Sequence, residues 1–196
     1  MGNVKSALEK AMEKAAKIGE LTPEEKEHLQ EQKQLKIWLS EFYRGKLDRD
    51  NLWQKLKGKK TSLLKEAQQY LIDSFGLGST PEEFKTRRDG VLAIETLKET
   101  QLTPAIEQIL DSIEILQREY QDRKEKMADD LRAEIERNPQ MRMQPVRTPD
   151  GRTAFQATLS VDDAVQAKLS EFLAEHENVY NAEFIRMINR LKQEIR

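Results

Sequence analysis

Two apolar stripes of similar length flank a single turn signal in the C-terminal half of this chain. The first runs Ile106, Ile109, Ile113, Leu116, Tyr120, Met127, Leu131 and Ile135. The second runs Val165, Leu169, Phe172, His176, Val179, Phe184, Ile188, Leu191 and Ile195. Spacings of three and four place each stripe on one face of an α-helix. Helices over Pro104–Arg137 and Val161–Arg196 are expected, each about 50 Å long at 1.5 Å per residue. A helix with one apolar stripe must bury it, and the simplest partner for each is the other, antiparallel. That register sets Ile135 near Val161 and Val165, Met127 near Phe172, Tyr120 near Val179, and Ile109 near Ile188. The match lapses at "QDRKEK", Gln121 to Lys126, opposite His176, a partly buried seam residue. Bending or local opening is expected there, and Asn178 and Asn181 are further weak points in the last helix.

Between the stripes lies "MQPVRTPDGRTAFQATLS", Met143 to Ser160. Asn138 and Pro139 end the first helix. In "TPDG", Pro149 presets φ, Asp150 suits the next position and Gly151 supplies a left-handed residue. A β-hairpin spanning about 141–159 follows, with Arg147 facing Thr153, Pro145 facing Phe155, Met143 facing Ala157 and Met141 facing Leu159. Those residues share one largely apolar face, and a slip of one residue destroys the sorting. Pro145 cannot donate to a ladder, so the first strand belongs at an edge. Ser160, with Asp163 three residues on, caps the last helix.

A two-stranded hairpin is marginal in water unless a third layer covers it. The apolar face formed by Met141, Met143, Phe155 and Leu159 can dock on the chain's own N-terminal helices, assemble with copies of itself, or hold a partner. Methionine-rich surfaces suit adaptable binding. This topology resembles prefoldin subunits, whose paired helices are joined by β-hairpins that assemble the oligomer. The likeness covers the chain from Pro104 onward and carries no sequence motif. It implies assembly through the hairpin and a chaperone-like clamp.

The N-terminal part is built from shorter helices. Val4, Leu8, Ala11, Met12, Ala15 and Ile18 recur at helical spacing, and Gly19 stops that helix. Thr22, Pro23 and Glu25 form a capping box for a second helix, polar at first and apolar at Leu35, Trp38, Leu39 and Phe42. Gly45 ends it. Helices around Arg49–Lys57 and Ser62–Phe75 follow. Thr80, Pro81 and Glu83 repeat the capping box and open a helix to about Thr100. The resulting expectation is a mainly α fold, an elongated helical bundle with a long antiparallel helix pair joined by one β-hairpin. Residues 1–78 form a small N-terminal bundle, 79–103 a connecting helix, and 104–196 the helix–hairpin–helix unit.

Composition narrows the function classes. Hydrophobic residues make up 37% and charged residues 35%, which favours thin helical packing over one large core. The absence of cysteine excludes disulfides, thiolate catalysis and Cys-ligated metal, and fits a reducing, cytoplasmic setting. No apolar run reaches membrane-spanning length. "MGNVKS" matches the myristoylation pattern at Gly2, but Asn3 as a helix cap, with Ser6 in the first turn, explains it more simply.

Three chemical motifs fail on their own geometry. "GKKTS" at Gly58 has Trp53 where a phosphate loop needs glycine. "DRDNLW" at Asp48 has the same tryptophan where a calcium loop turns on glycine. Glu25 and His28 make one Glu-x-x-His pair, whereas His176 is preceded by Leu173 and supplies no second. No cofactor or metal is therefore expected, and carboxylate or lysine catalysis has no motif.

One charge feature remains. Arg44, Lys46, Arg49, Lys55, Lys57, Lys59, Lys60 and Lys65 stand against only Asp48 and Asp50, although the whole chain is at −2. With Trp53 inside the segment and Trp38 and Tyr43 nearby, it can contact phosphates and stack bases. A solvated basic face that balances acidic helices is the simpler explanation. The leading expectation is a non-enzymatic scaffold, adaptor or assembly protein, working through helical seams and the hairpin, self-associated or bound to protein. A nucleic-acid-associated factor using Arg44–Lys65 is the alternative.

Overall fold

The computed structural model describes residues 22–99, 102–147, 149, 151–157 and 159–195, the side chains of Phe155, Ala157 and Glu175 excepted. The expected first helix and the "MGNVKS" pattern lie outside them. The fold is mainly α with one antiparallel hairpin. The chain divides into two compact units, Met1–Asp48 and Arg49–Arg196. The expected divisions at 78 and 103 therefore fall inside the second unit. Within that unit, the short helices after Arg49 pack on one another and on the long pair.

In the first unit, α1 spans Pro23–Tyr43. Its capping box forms as expected. Glu25 N–H donates to Thr22 Oγ1 at 3.2 Å, and Thr22 N–H donates to Glu25 Oε2 at 2.7 Å. Residues 22–30 are exposed, whereas Leu35, Leu39 and Phe42 are buried, so only the second half of the helix carries core. Gly45, at φ +68°, turns the chain.

The second unit begins with α2 (Arg49–Leu56), α3 (Thr61–Asp73) and α4 (Pro81–Glu95). Helix α4 lies at the centre of this group, packed on α2, α3 and the next helix. Leu52, Leu56, Leu63, Leu71, Ile72, Val91 and Ile94 fill the space between, and the Phe75 and Phe84 rings meet at 5.1 Å. The second capping box, Thr80 with Glu83, opens α4 as expected. The helix stops at Glu95, five residues earlier than the sequence suggests. Thr96 Oγ1 donates to Ala93 O at 2.7 Å, and the turn that follows sends the Lys98 side chain inward.

Helices α5 (Thr103–Arg137) and α6 (Val161–Glu194) form the expected pair. Helix α6 runs unbroken through Asn178 and Asn181. Near the hairpin, Ile135, Ala164 and Val165 are buried together, with Leu131, Met141, Leu159 and Val161 packed around them. Arg132 reaches Asp162 across the seam at 2.7 Å. Toward the other end, Ile106, Ile109, Leu110 and Ile113 on α5 and Ile188, Leu191 and Ile195 on α6 are buried. Val179 departs from expectation: it is 74% exposed. Stepping back one helical turn of four from buried Phe184 reaches Tyr180, not Val179, and the Tyr180 ring takes the place beside Tyr120.

The strands are β1 (Met143–Arg147) and β2 (Thr153–Ala157), in the register expected. Gly151 adopts φ +80°. The ladder is shorter than 141–159. Pro139 cannot continue the helix, and residues Pro139–Arg142 wind into a 3-10 turn, which removes Met141 from the strand.

Candidate functional site

The lapse in the apolar stripe becomes a groove. From buried Tyr120, the inward line of α5 steps to Lys124, Ala128, Leu131 and Ile135. Lys124 thus occupies a seam position with a charged side chain, half-buried. The helices do not close over it. A groove of about 310 Å³ opens between α5 and α6, lined by Tyr120, Arg123, Lys124, Phe172, His176 and Tyr180 among others. His176 was expected partly buried in the seam, but it is exposed, because the seam is open at its level. Its ring stacks on Phe172 at 4.1 Å, and its Nδ1 lies 2.9 Å from Phe172 O.

Tyr120 forms the floor. It is 6% exposed, its ring packs 5.5 Å from Tyr180, and its hydroxyl donates to Glu177 Oε1 at 3.1 Å. Burial pushes the Tyr120 hydroxyl above the usual tyrosine range, and the bond to Glu177 and that carboxylate's charge push the same way.

The hairpin face divides in two. Met141 and Leu159 are half-buried against the Ile135 cluster, so the root of the hairpin is docked. Met143 is 44% exposed and Pro145 is exposed. The side chain of Phe155 lies outside the described residues.

The basic segment crosses the boundary between the two units. Arg44 and Lys46 belong to the first, where they line a shallow groove with Lys36, Ile37, Ser40 and Glu41. Arg49, Lys55, Lys57, Lys59, Lys60 and Lys65 belong to the second. Arg49 pairs with Asp50 at 3.0 Å. Trp53 is half-buried: its indole N–H donates to Thr96 Oγ1 at 3.0 Å, and Lys57 Nζ sits 5.0 Å from the ring centroid. The tryptophan is thus engaged in holding α2 to the end of α4.

Sequence reasoning missed one constellation entirely. Gln68, Glu95 and Lys98 are buried together where α3, the end of α4 and the end of α6 meet. Lys98 Nζ donates to Glu95 Oε2 at 2.8 Å, Gln68 Oε1 at 2.9 Å and Ile195 O at 3.3 Å. Gln68 Nε2 donates to Glu95 Oε2 at 2.9 Å and Val91 O at 3.0 Å. The only signal was position: Gln68 lies on the inward face between Leu64 and Leu71.

Glu25 is spent in its capping box, and His28 is exposed beside Gln32. Among the described residues, no three His, Asp or Glu side chains gather as a metal site, and no helix is long and apolar enough to cross a membrane.

Residues 49–196 match a family of unknown function, DUF6657. The chain belongs to that family. The DUF6657 region begins at Arg49, where the second compact unit begins, so the match covers the short helices and the helix–hairpin–helix pair together. No curated protein and no solved structure matches the chain.

Proposed function

We propose that this protein is a non-enzymatic assembly or scaffold protein that engages another protein chain through the tip of its α5–α6 pair. The exposed upper face of the hairpin carries this reading. Its root is docked by Met141 and Leu159, yet Met143 and Pro145 stand in solvent on a two-stranded ladder. Such a ladder gains its missing third layer from a second chain. A self-assembled or chaperone-like complex in a cytoplasmic setting falls within the reading.

The alternative, phosphate binding by Arg44–Lys65, has less behind it. Trp53 spends its N–H on Thr96 and one face on Lys57, which leaves little of it for stacking on bases. A gel shift at low salt is its test.

The principal test compares wild type with Met143→Asp by light scattering over a concentration series, with affinity capture of each from the native host. The expected result is a folded variant with lower mass, or one that loses a specific captured protein. If wild type stays monomeric and both forms capture the same proteins, the hairpin is not a docking element.

A further inference from the structure

We propose that the groove between α5 and α6 is a binding site for a small aromatic anion, a one- or two-ring molecule carrying a carboxylate or sulfonate. The first ground is the seam itself. Every other inward step of α5 from Ile106 to Ile135 bears an apolar side chain or Gln117, which spends its amide N–H on Gly76 O at 2.6 Å. Lys124 breaks that line with an ammonium. Closing the two helices over it requires a counter-charge, and an unpaired buried charge is costly.

The second ground is charge. Five of the eight other basic residues on the pair have carboxylate partners: Arg118 with Glu114, Arg132 with Asp162, Lys168 with Glu171, Arg186 with Glu183 and Lys192 with Asp73. Among the described residues, Arg123 and Lys124 form no ion pair. Glu177, the described carboxylate lining the groove, accepts from the Tyr120 hydroxyl. The two cations on one wall are complementary to an anion.

The third ground is the opposite wall. Phe172, His176 and Tyr180 present ring surface, and aromatic walls accept a flat apolar body in offset or edge-on contact. The volume, about 310 Å³, is at the lower end of small-molecule sites, which suits one or two rings and no more. An anionic head between Arg123 and Lys124, with its rings against Phe172 and Tyr180, satisfies both walls at once.

The test uses the full chain and the dye 1-anilinonaphthalene-8-sulfonate, with its neutral analogue N-phenyl-1-naphthylamine as control. One dye anion per chain should bind, more tightly than the neutral analogue. Arg123→Glu with Lys124→Glu should weaken the anion about tenfold or more, with little effect on the analogue. Lys124→Leu should abolish binding by letting the seam close, with an unfolding midpoint equal to or above wild type. That variant separates loss of the site from loss of the fold. Met143→Asp should bind the dye as wild type does. Equal affinity for anion and analogue, unchanged binding in the Arg123 and Lys124 variants, or loss of binding in Met143→Asp would each overturn the proposal. Displacement of the dye by an acidic peptide but by no small aromatic acid would overturn it too, in favour of a protein segment.

Discussion

Replacing Lys98 with methionine should cost this protein a large share of its stability. The side chains of Lys98 and Glu95 are 2% and 0% exposed. The methionine keeps most of the apolar stem and removes the ammonium, so packing changes little. What is lost is the counter-charge of a buried carboxylate, together with donors to Gln68 Oε1 and Ile195 O. Removing one partner of a buried pair costs about 3–5 kcal/mol. Against a total stability of about 5–15 kcal/mol for a domain, that is about a fifth or more. Pairing Lys98→Met with Glu95→Gln removes both charges and should recover about 1–3 kcal/mol relative to the sum of the single changes. Urea unfolding followed by far-UV circular dichroism gives the cycle. Because Lys98 also holds the carbonyl of Ile195, amide exchange in the last turn of α6 should quicken in Lys98→Met well before global unfolding. A loss below about 1 kcal/mol for Lys98→Met, with a coupling near zero, would refute the reasoning. It would mean that water reaches the cluster freely.

Three further outcomes follow from the geometry. Tyr120→Phe removes the bond to Glu177 and should cost about 1–2 kcal/mol by thermal or urea unfolding. Because the folded hydroxyl ionises above the ordinary tyrosine value, its contribution is fully present below about pH 10 and lost as pH rises through the folded value. The gap between wild type and Tyr120→Phe should therefore narrow above pH 10. Gly151→Ala meets no atom within 4 Å of the added carbon, so its cost is the left-handed backbone alone, about 1–2 kcal/mol, read as faster amide exchange in β1 and β2. Ile135→Ala empties the centre of the cluster under the hairpin and should cost about 2–5 kcal/mol, raising the exposure of Met141 and Leu159 to limited oxidation and proteolysis.

The candidate sites were legible to different depths. The groove was announced by "QDRKEK", since a charge at a seam position forbids tight closure whatever else packs nearby. Its chemistry was not, because that depends on which α6 residues face Lys124, and Val179 stood in the stripe that Tyr180 actually fills. Met141 and Met143 read as one apolar face of the hairpin. A proline-started 3-10 turn assigned the first to the core and left the second in solvent. Trp53 and Lys57 read as phosphate-binding neighbours, yet a hydrogen bond to Thr96, distant in sequence, turned the indole toward the fold.

What sequence alone determined was local. Capping boxes at Thr22 and Thr80, the cap at Ser160, the turn at Gly151 and the hairpin register all rest on interactions a few residues apart. They form because backbone geometry and short-range hydrogen bonds decide them. Tertiary structure decided where α4 stops, which side of α6 meets α5, and that Gln68, Glu95 and Lys98 meet beneath the end of the last helix. Those outcomes depend on contacts between residues far apart in the chain, where burial makes a lysine and a glutamate obligatory partners. In an isolated helix the same two residues would be an ordinary solvated pair.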